Sequence, residues 1–229
     1  MFRFCVIPCL VAGLFLAGCS NNGDDPFVAA DYPLHPATLQ EGALSNGEWA
    51  EQITELMRDM SRVVLQTNTD LLDDCIVVAG TPPAAVNMSF NDCLEGTDAR
   101  DGIVALGAVT GSVGDVAHNI DIGETGELFH VEGTLILTLT GSTAVRETGD
   151  LTLSDELSVI TASVDFTFPA GRLAEDDPYP DGTMTVDYET LDHAPLHVVV
   201  TMDGGDIFDI VANDLSFTFD SDTGELTPA

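Results

Sequence analysis

From residue 75 to the C-terminus the chain alternates apolar and polar residues with period two, and that pattern admits few folds. Leu135, Leu137 and Leu139 alternate with Thr134, Thr138 and Thr140, with Ile136 the apolar exception. Ile160, Ala162, Val164, Phe166 and Phe168 alternate with Thr161, Ser163, Asp165 and Thr167. Met184, Val186 and Tyr188 repeat the scheme, as do Leu215, Phe217 and Phe219. One apolar face and one Thr/Asp face is the signature of antiparallel strands wetted on one side. The breaks Asp101-Gly102, Asp181-Gly182, Gly204-Gly205 and Asn213-Asp214 read as hairpin turns, because these residues accept positive φ cheaply. Eight to eleven strands in meander order is the simplest arrangement. No helical period follows residue 75, which excludes a parallel βαβ sheet.

Ahead of the strands, Trp49, Ile53, Leu56, Met57, Met60, Val63 and Val64 form one apolar stripe at helical spacing. Ser45 and Glu48 fit a capping box. Glu55/Arg58 and Asp59/Arg62 sit three apart, as on a solvated helix face. The expected architecture is mainly β: an antiparallel β-meander, as a large sheet or partly open barrel, with one N-terminal amphipathic helix packed on it. Its domain runs over 46–229, with the helix over about 46–72 and the meander over about 75–229.

Residues 1–19 read MFRFCVIPCLVAGLFLAGC. Arg3 precedes an apolar run of 13 residues, Phe4 to Leu16, short of the roughly 20 that span a bilayer as a helix. The segment reads as a signal peptide over 1–18. Its end, Leu16-Ala17-Gly18-Cys19, resembles the lipobox of bacterial lipoproteins. That resemblance implies lipidation of the Cys19 thiol, cleavage before Cys19 and attachment to the membrane through the acyl chains, several of which make a stable anchor. Ser20 at the next position implies the outer membrane, on a face the sequence does not name. Residues 19–45, rich in Ser, Asn, Gly, Asp, Pro and Ala, read as the lipidated end and a flexible tether.

Cys5 and Cys9 leave with the leader, so Cys75 and Cys93 remain as an even pair in an exported chain, which points to a disulfide. A hairpin centred near Ala84 brings them together and sets Val78 opposite Phe90.

No motif for chemistry emerges. His193 and His197 have the spacing of a helical metal pair, but Pro195 forbids a helix interior, and on a strand they stand about 13 Å apart. His118 and His130 are expected as partly exposed strand or turn residues. Gly111-Ser112-Val113-Gly114 lacks the glycine of a nucleophile elbow, and a chain without Lys holds no phosphate loop. Carboxylate neighbours such as Glu175, Asp176, Asp177 and Asp181 are an acidic surface. Asp220–Glu225, Asp203–Asp206 and Asp73-Asp74 resemble calcium loops, but the first lacks the late bidentate Glu, and Asp/Gly turns between strands need no metal. The expectation is a lipoprotein of the cell envelope with a structural or interaction role, with no catalytic residues, cofactor or metal. The alternatives are a half-barrel carrier holding an apolar ligand against Phe166, Phe168, Phe217 and Phe219, or a calcium-binding envelope protein. An apolar cavity of several hundred Å³ favours the carrier, and close packing opposes it.

The chain carries 39 Asp+Glu against 6 Lys+Arg, a net charge of −33, and all six cations are Arg. Such a charge excludes nucleic-acid binding, which needs clustered cations. Disorder is excluded by the apolar content: Leu, Val, Phe and Ile supply 66 of 229 residues, above the floor for folding of roughly a fifth. Crowded carboxylates repel one another at low ionic strength, and a saline environment accounts for them. The melting temperature should therefore rise steeply as NaCl goes from about 0.01 M to 1 M and the screening length falls from roughly 30 Å to 3 Å. Calcium chloride at matched ionic strength should add nothing further; a larger gain would mean specific sites.

Overall fold

The structure is a computed structural model describing residues 36, 38–95, 98–123, 129–154, 159–174, 179–188 and 195–229. The lipobox and its Cys19, His193 and the acidic Glu175–Asp177 lie outside the described residues.

The first described element is helix α1, Leu39–Leu65. Twelve strands follow: β1 Ile76–Gly80, β2 Val86–Glu95, β3 Asp98–Leu106, β4 Val113–Gly123, β5 Phe129–Thr140, β6 Ala144–Ser154, β7 Val159–Pro169, β8 Asp181–Tyr188, β9 Leu196–Asp203, β10 Ile207–Ala212, β11 Leu215–Asp220 and β12 Glu225–Pro228. They form one sheet in sequential order, every neighbouring pair antiparallel. The meander is as expected, with one strand more than the upper end of the expected range. Its sheet is open, with β1 and β12 as edges.

Helix α1 starts seven residues before the expected position. Thr38, not Ser45, is the N-cap: its Oγ1 accepts from the Glu41 N–H at 3.1 Å, and its own N–H donates to Glu41 Oε2 at 2.9 Å. Such a cap contributes about 1 kcal/mol. Ser45 sits inside the helix, its hydroxyl donating back to the Glu41 carbonyl at 3.0 Å. The extra two turns hold because they are buried: Ala43 has no exposed surface, and Gly42 lies directly against Leu196. Residues 39–45 are therefore domain rather than tether. The helix stops at Leu65, where Gln66 turns left-handed. A separate 3-10 turn, Thr69–Leu71, carries the chain on, in place of a helix continued to Leu72.

Twenty of the 27 helical residues are buried, because the sheet curls around α1 instead of lying flat beneath it. Trp49 meets Phe129 edge to face, ring centres 5.5 Å apart. A Cβ on Gly47 would stand 2.7 Å from the Phe219 ring, so helix and sheet touch without a gap. The supposed solvated face is buried too: Glu55, Asp59 and Arg62 are at most 6% exposed.

Two expected turns are bends within strands. Gly102 lies mid-strand in β3, paired with Phe90 and Ile120, at φ +137°. Gly182 lies in β8, paired with Phe166 and Met202, at φ +151°. A Cβ there would reach 2.0 Å from the Asp165 carbonyl oxygen. Glycine at such points lets a sheet coil. Gly204-Gly205 and Asn213-Asp214 are turns as expected, Asn213 at φ +52°.

Cys75 and Cys93 form a disulfide, Cα atoms 5.3 Å apart. The hairpin register differs from expectation by two residues. Val78 faces Met88 and Ile76 faces Phe90. A bulge in β2 between Phe90 and Cys93 brings the second cysteine back into reach. A two-residue slip preserves which face each side chain occupies, so the apolar set still points inward.

Gly182→Ala should lower stability by about 1–3 kcal/mol, the scale of a strained backbone position. Gly171→Ala, where nothing lies within 4 Å of the new carbon, is the control. Denaturant melts of the two variants check this; equal stabilities would mean that the bend at β8 is not needed.

Candidate binding cleft

The four phenylalanines expected to line a carrier's cavity are core residues. Phe166, Phe168 and Phe219 have no exposed surface and Phe217 is 6% exposed, all within the cluster that α1 completes. The helix occupies the concave face.

An open cleft lies at the end of α1. Gln66 and Asn68 both take left-handed φ, about 50°, which folds the chain back so that the 3-10 turn and Asp73-Asp74 stand beside β1. The Ile76 N–H donates to the Asp73 carbonyl at 2.9 Å. Gln66 Nε2 reaches the Pro82 carbonyl at 3.4 Å, and the Val109 N–H donates to the Pro83 carbonyl at 2.9 Å, bracing the β1–β2 turn from two sides. Between these elements is a cleft of about 590 Å³. Val63, Leu72, Ile76 and Val78 give it an apolar floor, and Asp73 and Asp74 are the acids of its lining. The size suits a small molecule or a few side chains of a peptide.

The interior holds ionisable groups that sequence reasoning missed. Arg100 of β3 reaches across to α1, where its guanidinium donates to Gln52 Oε1 at 2.7 Å and pairs with Glu55. Asp59 lies 3.5 Å from Arg62 and 3.8 Å from Arg58; burial pushes its carboxyl up to about 6 against the pull of both arginines. Asn46 donates to the Tyr188 hydroxyl at 2.8 Å, and burial pushes that phenol up to about 12. On the inner face His118 of β4 and Glu147 of β6 approach to 3.8 Å, 3% and 0% exposed. Burial raises the Glu147 carboxyl while His118 pulls it down. The expected exposure of His118 is thus corrected: it follows Val116 inward on the strand's period. His130 and His197 are surface residues instead, each facing a cross-strand carboxylate, Asp121 at 2.8 Å and Asp187 at 2.6 Å.

On the polar face, Arg146 is bidentate with Asp165 at 2.7 and 2.6 Å, and that bond holds the carboxyl below the usual range. The calcium-like runs form turns. Asp220 Oδ1 accepts from the Thr223 N–H at 3.1 Å, and Ser221 donates to the Asp206 carbonyl. Among the described residues no three His, Cys, Asp or Glu are placed to share a metal ion.

Comparison with known proteins brings nothing to this geometry: no family model, no curated protein and no solved structure matches.

Glu51 provides a pH test of the packed interior. Burial pushes its carboxyl up to about 8, with Glu55 adding to the rise and Arg100 opposing it. A folded-state value above the unfolded one means the folded chain holds a proton that the unfolded chain releases. Stability is then present below about 4.5 and is lost as pH rises toward about 8. Glu51→Gln should stabilise the domain increasingly over that window and change little below it. Thermal melts from pH 4 to 9 read this; a constant difference between variant and parent would contradict it.

Proposed function

We propose that the protein is a lipid-anchored protein of the cell envelope that acts by binding, through the cleft beside β1, and not by catalysis. The cleft is the observation that carries the binding role. It joins an apolar floor to two carboxylates, and among the described residues its lining includes no His or Cys. The anchoring half rests on Leu16-Ala17-Gly18-Cys19. The Cys75–Cys93 disulfide supports it, because such bonds persist in exported proteins and not in the cytosol. The faces of the sheet support a peripheral domain as well: apolar side chains turn inward toward α1 and polar ones outward, the reverse of a transmembrane barrel with its outward apolar band. The outer membrane is the proposed site of attachment, given Ser20 after the lipidated residue.

Cys19→Ser should abolish incorporation of a labelled fatty acid and leave the precursor uncleaved. Metabolic labelling followed by electrophoresis measures both. Equal label on variant and parent overturns the anchor.

A further inference from the structure

We infer that the free edge of β1 is a strand-addition site for an extended, cationic segment of a partner polypeptide. This rests on the binding role of the cleft and does not need the lipid anchor.

The two edges of the sheet differ. Strand β12 is four residues long, begins at Glu225 and ends at Pro228, which has no N–H to offer. Charge, brevity and proline are the devices by which sheets guard an edge. Strand β1 has none of the chemical ones. It reads Ile76-Val77-Val78-Ala79-Gly80, with no charge and no proline. Val77 is 55% exposed and Val78 38%, and Ala79 and Gly80 are exposed beside them. It pairs with β2 on one side, and among the described residues no strand lies on the other.

This edge is also held in place. The Cys75–Cys93 disulfide pins its start, and Gln66 and Val109 brace the turn that follows it. Backbone donors and acceptors fixed in advance lose little entropy on pairing. A strand laid along β1 would send alternate side chains over the cleft, where Val63, Leu72, Ile76 and Val78 offer apolar contact. Asp73 and Asp74 are exposed at the near end of β1, and among the described residues no cation is placed beside them.

The occupant's charge follows from the chain's own composition. A second copy has no Lys. The five described arginines already face carboxylates: Arg58 and Arg62 at Asp59, Arg100 at Glu55, Arg146 at Asp165 and Arg172 at Asp181. Two copies would also each bring a net charge of −33. A different polypeptide, alternating apolar and basic residues, matches both the floor and the acids, and the field of this acidic domain attracts it.

The test uses the full chain in a non-ionic detergent and a soluble decapeptide alternating Lys and Val. Two further versions carry N-methyl groups on alternate amides, one on the even and one on the odd positions. Strand addition uses one edge of the peptide, so one methylated version should bind like the parent and the other about tenfold or more weaker. Bound peptide should slow hydrogen exchange at β1 amides. Asp73→Asn with Asp74→Asn should weaken binding about fivefold, while Asp203→Asn with Asp206→Asn should not. If both methylated peptides bind like the parent, or the remote pair weakens binding as much, the contact is adsorption to an acidic surface and the proposal falls. A peptide that fails while tryptamine binds, and is excluded by Thr69→Arg, overturns strand addition and leaves the binding cleft standing. Failure of both probes overturns both.

Discussion

A sheet of twelve sequential strands must bend to enclose a single helix, and the bend depends on backbone positions that only glycine holds cheaply. At Gly102 and Gly182 the neighbouring strand's carbonyl stands where a side chain would begin. Without those bends the strands could still pair, but their inner faces would not converge on α1. Trp49, Met57 and Phe219 would then lose the partners that keep them dry. Hydrophobic burial supplies the driving force here, and curvature decides whether it can be collected.

The enclosure has a cost. A helix touched by strands on several sides cannot keep a charged stripe in water, so Glu55, Asp59 and Arg62 enter the interior with it. Arg100 then answers Glu55 and donates to Gln52 as well, while Glu51 is raised by burial and by its acidic neighbour. Groups of this kind add little net stability, because desolvation consumes most of the attraction. They do restrict how the helix can be seated. Arg100 meets Glu55 only in one rotation of α1 against β3.

The strands were legible because period two is a local signal and the sheet is wetted on one face. Even the inward turn of His118 was written in its place between Val116 and Ile120. The start of α1 was not, since Thr38–Glu41 and Ser45–Glu48 are equally good capping boxes. Burial of Ala43 and the fit of Gly42 against Leu196 decide between them, and both are tertiary facts. The glycines misled for a related reason. Positive φ serves a hairpin turn and a strand bend alike, and only the pairing of neighbouring strands tells which. The cleft was hidden because it arises from left-handed residues at Gln66 and Asn68. Asn68 is a residue type that takes this conformation readily, but Gln66 gives no such warning.

Sequential order has a consequence for how this chain acquires its shape. Each strand finds its partner in the next stretch of polypeptide, so every ladder closes a short loop and none waits for a distant segment. The exception is α1, which comes first along the chain yet packs against β9, β10 and β11. A polypeptide delivered N-terminus first therefore presents the mandrel before the cloth. Until the last strands arrive, the apolar stripe of α1 has only part of its cover, and that interval is when the unfinished domain is most open to unwanted association.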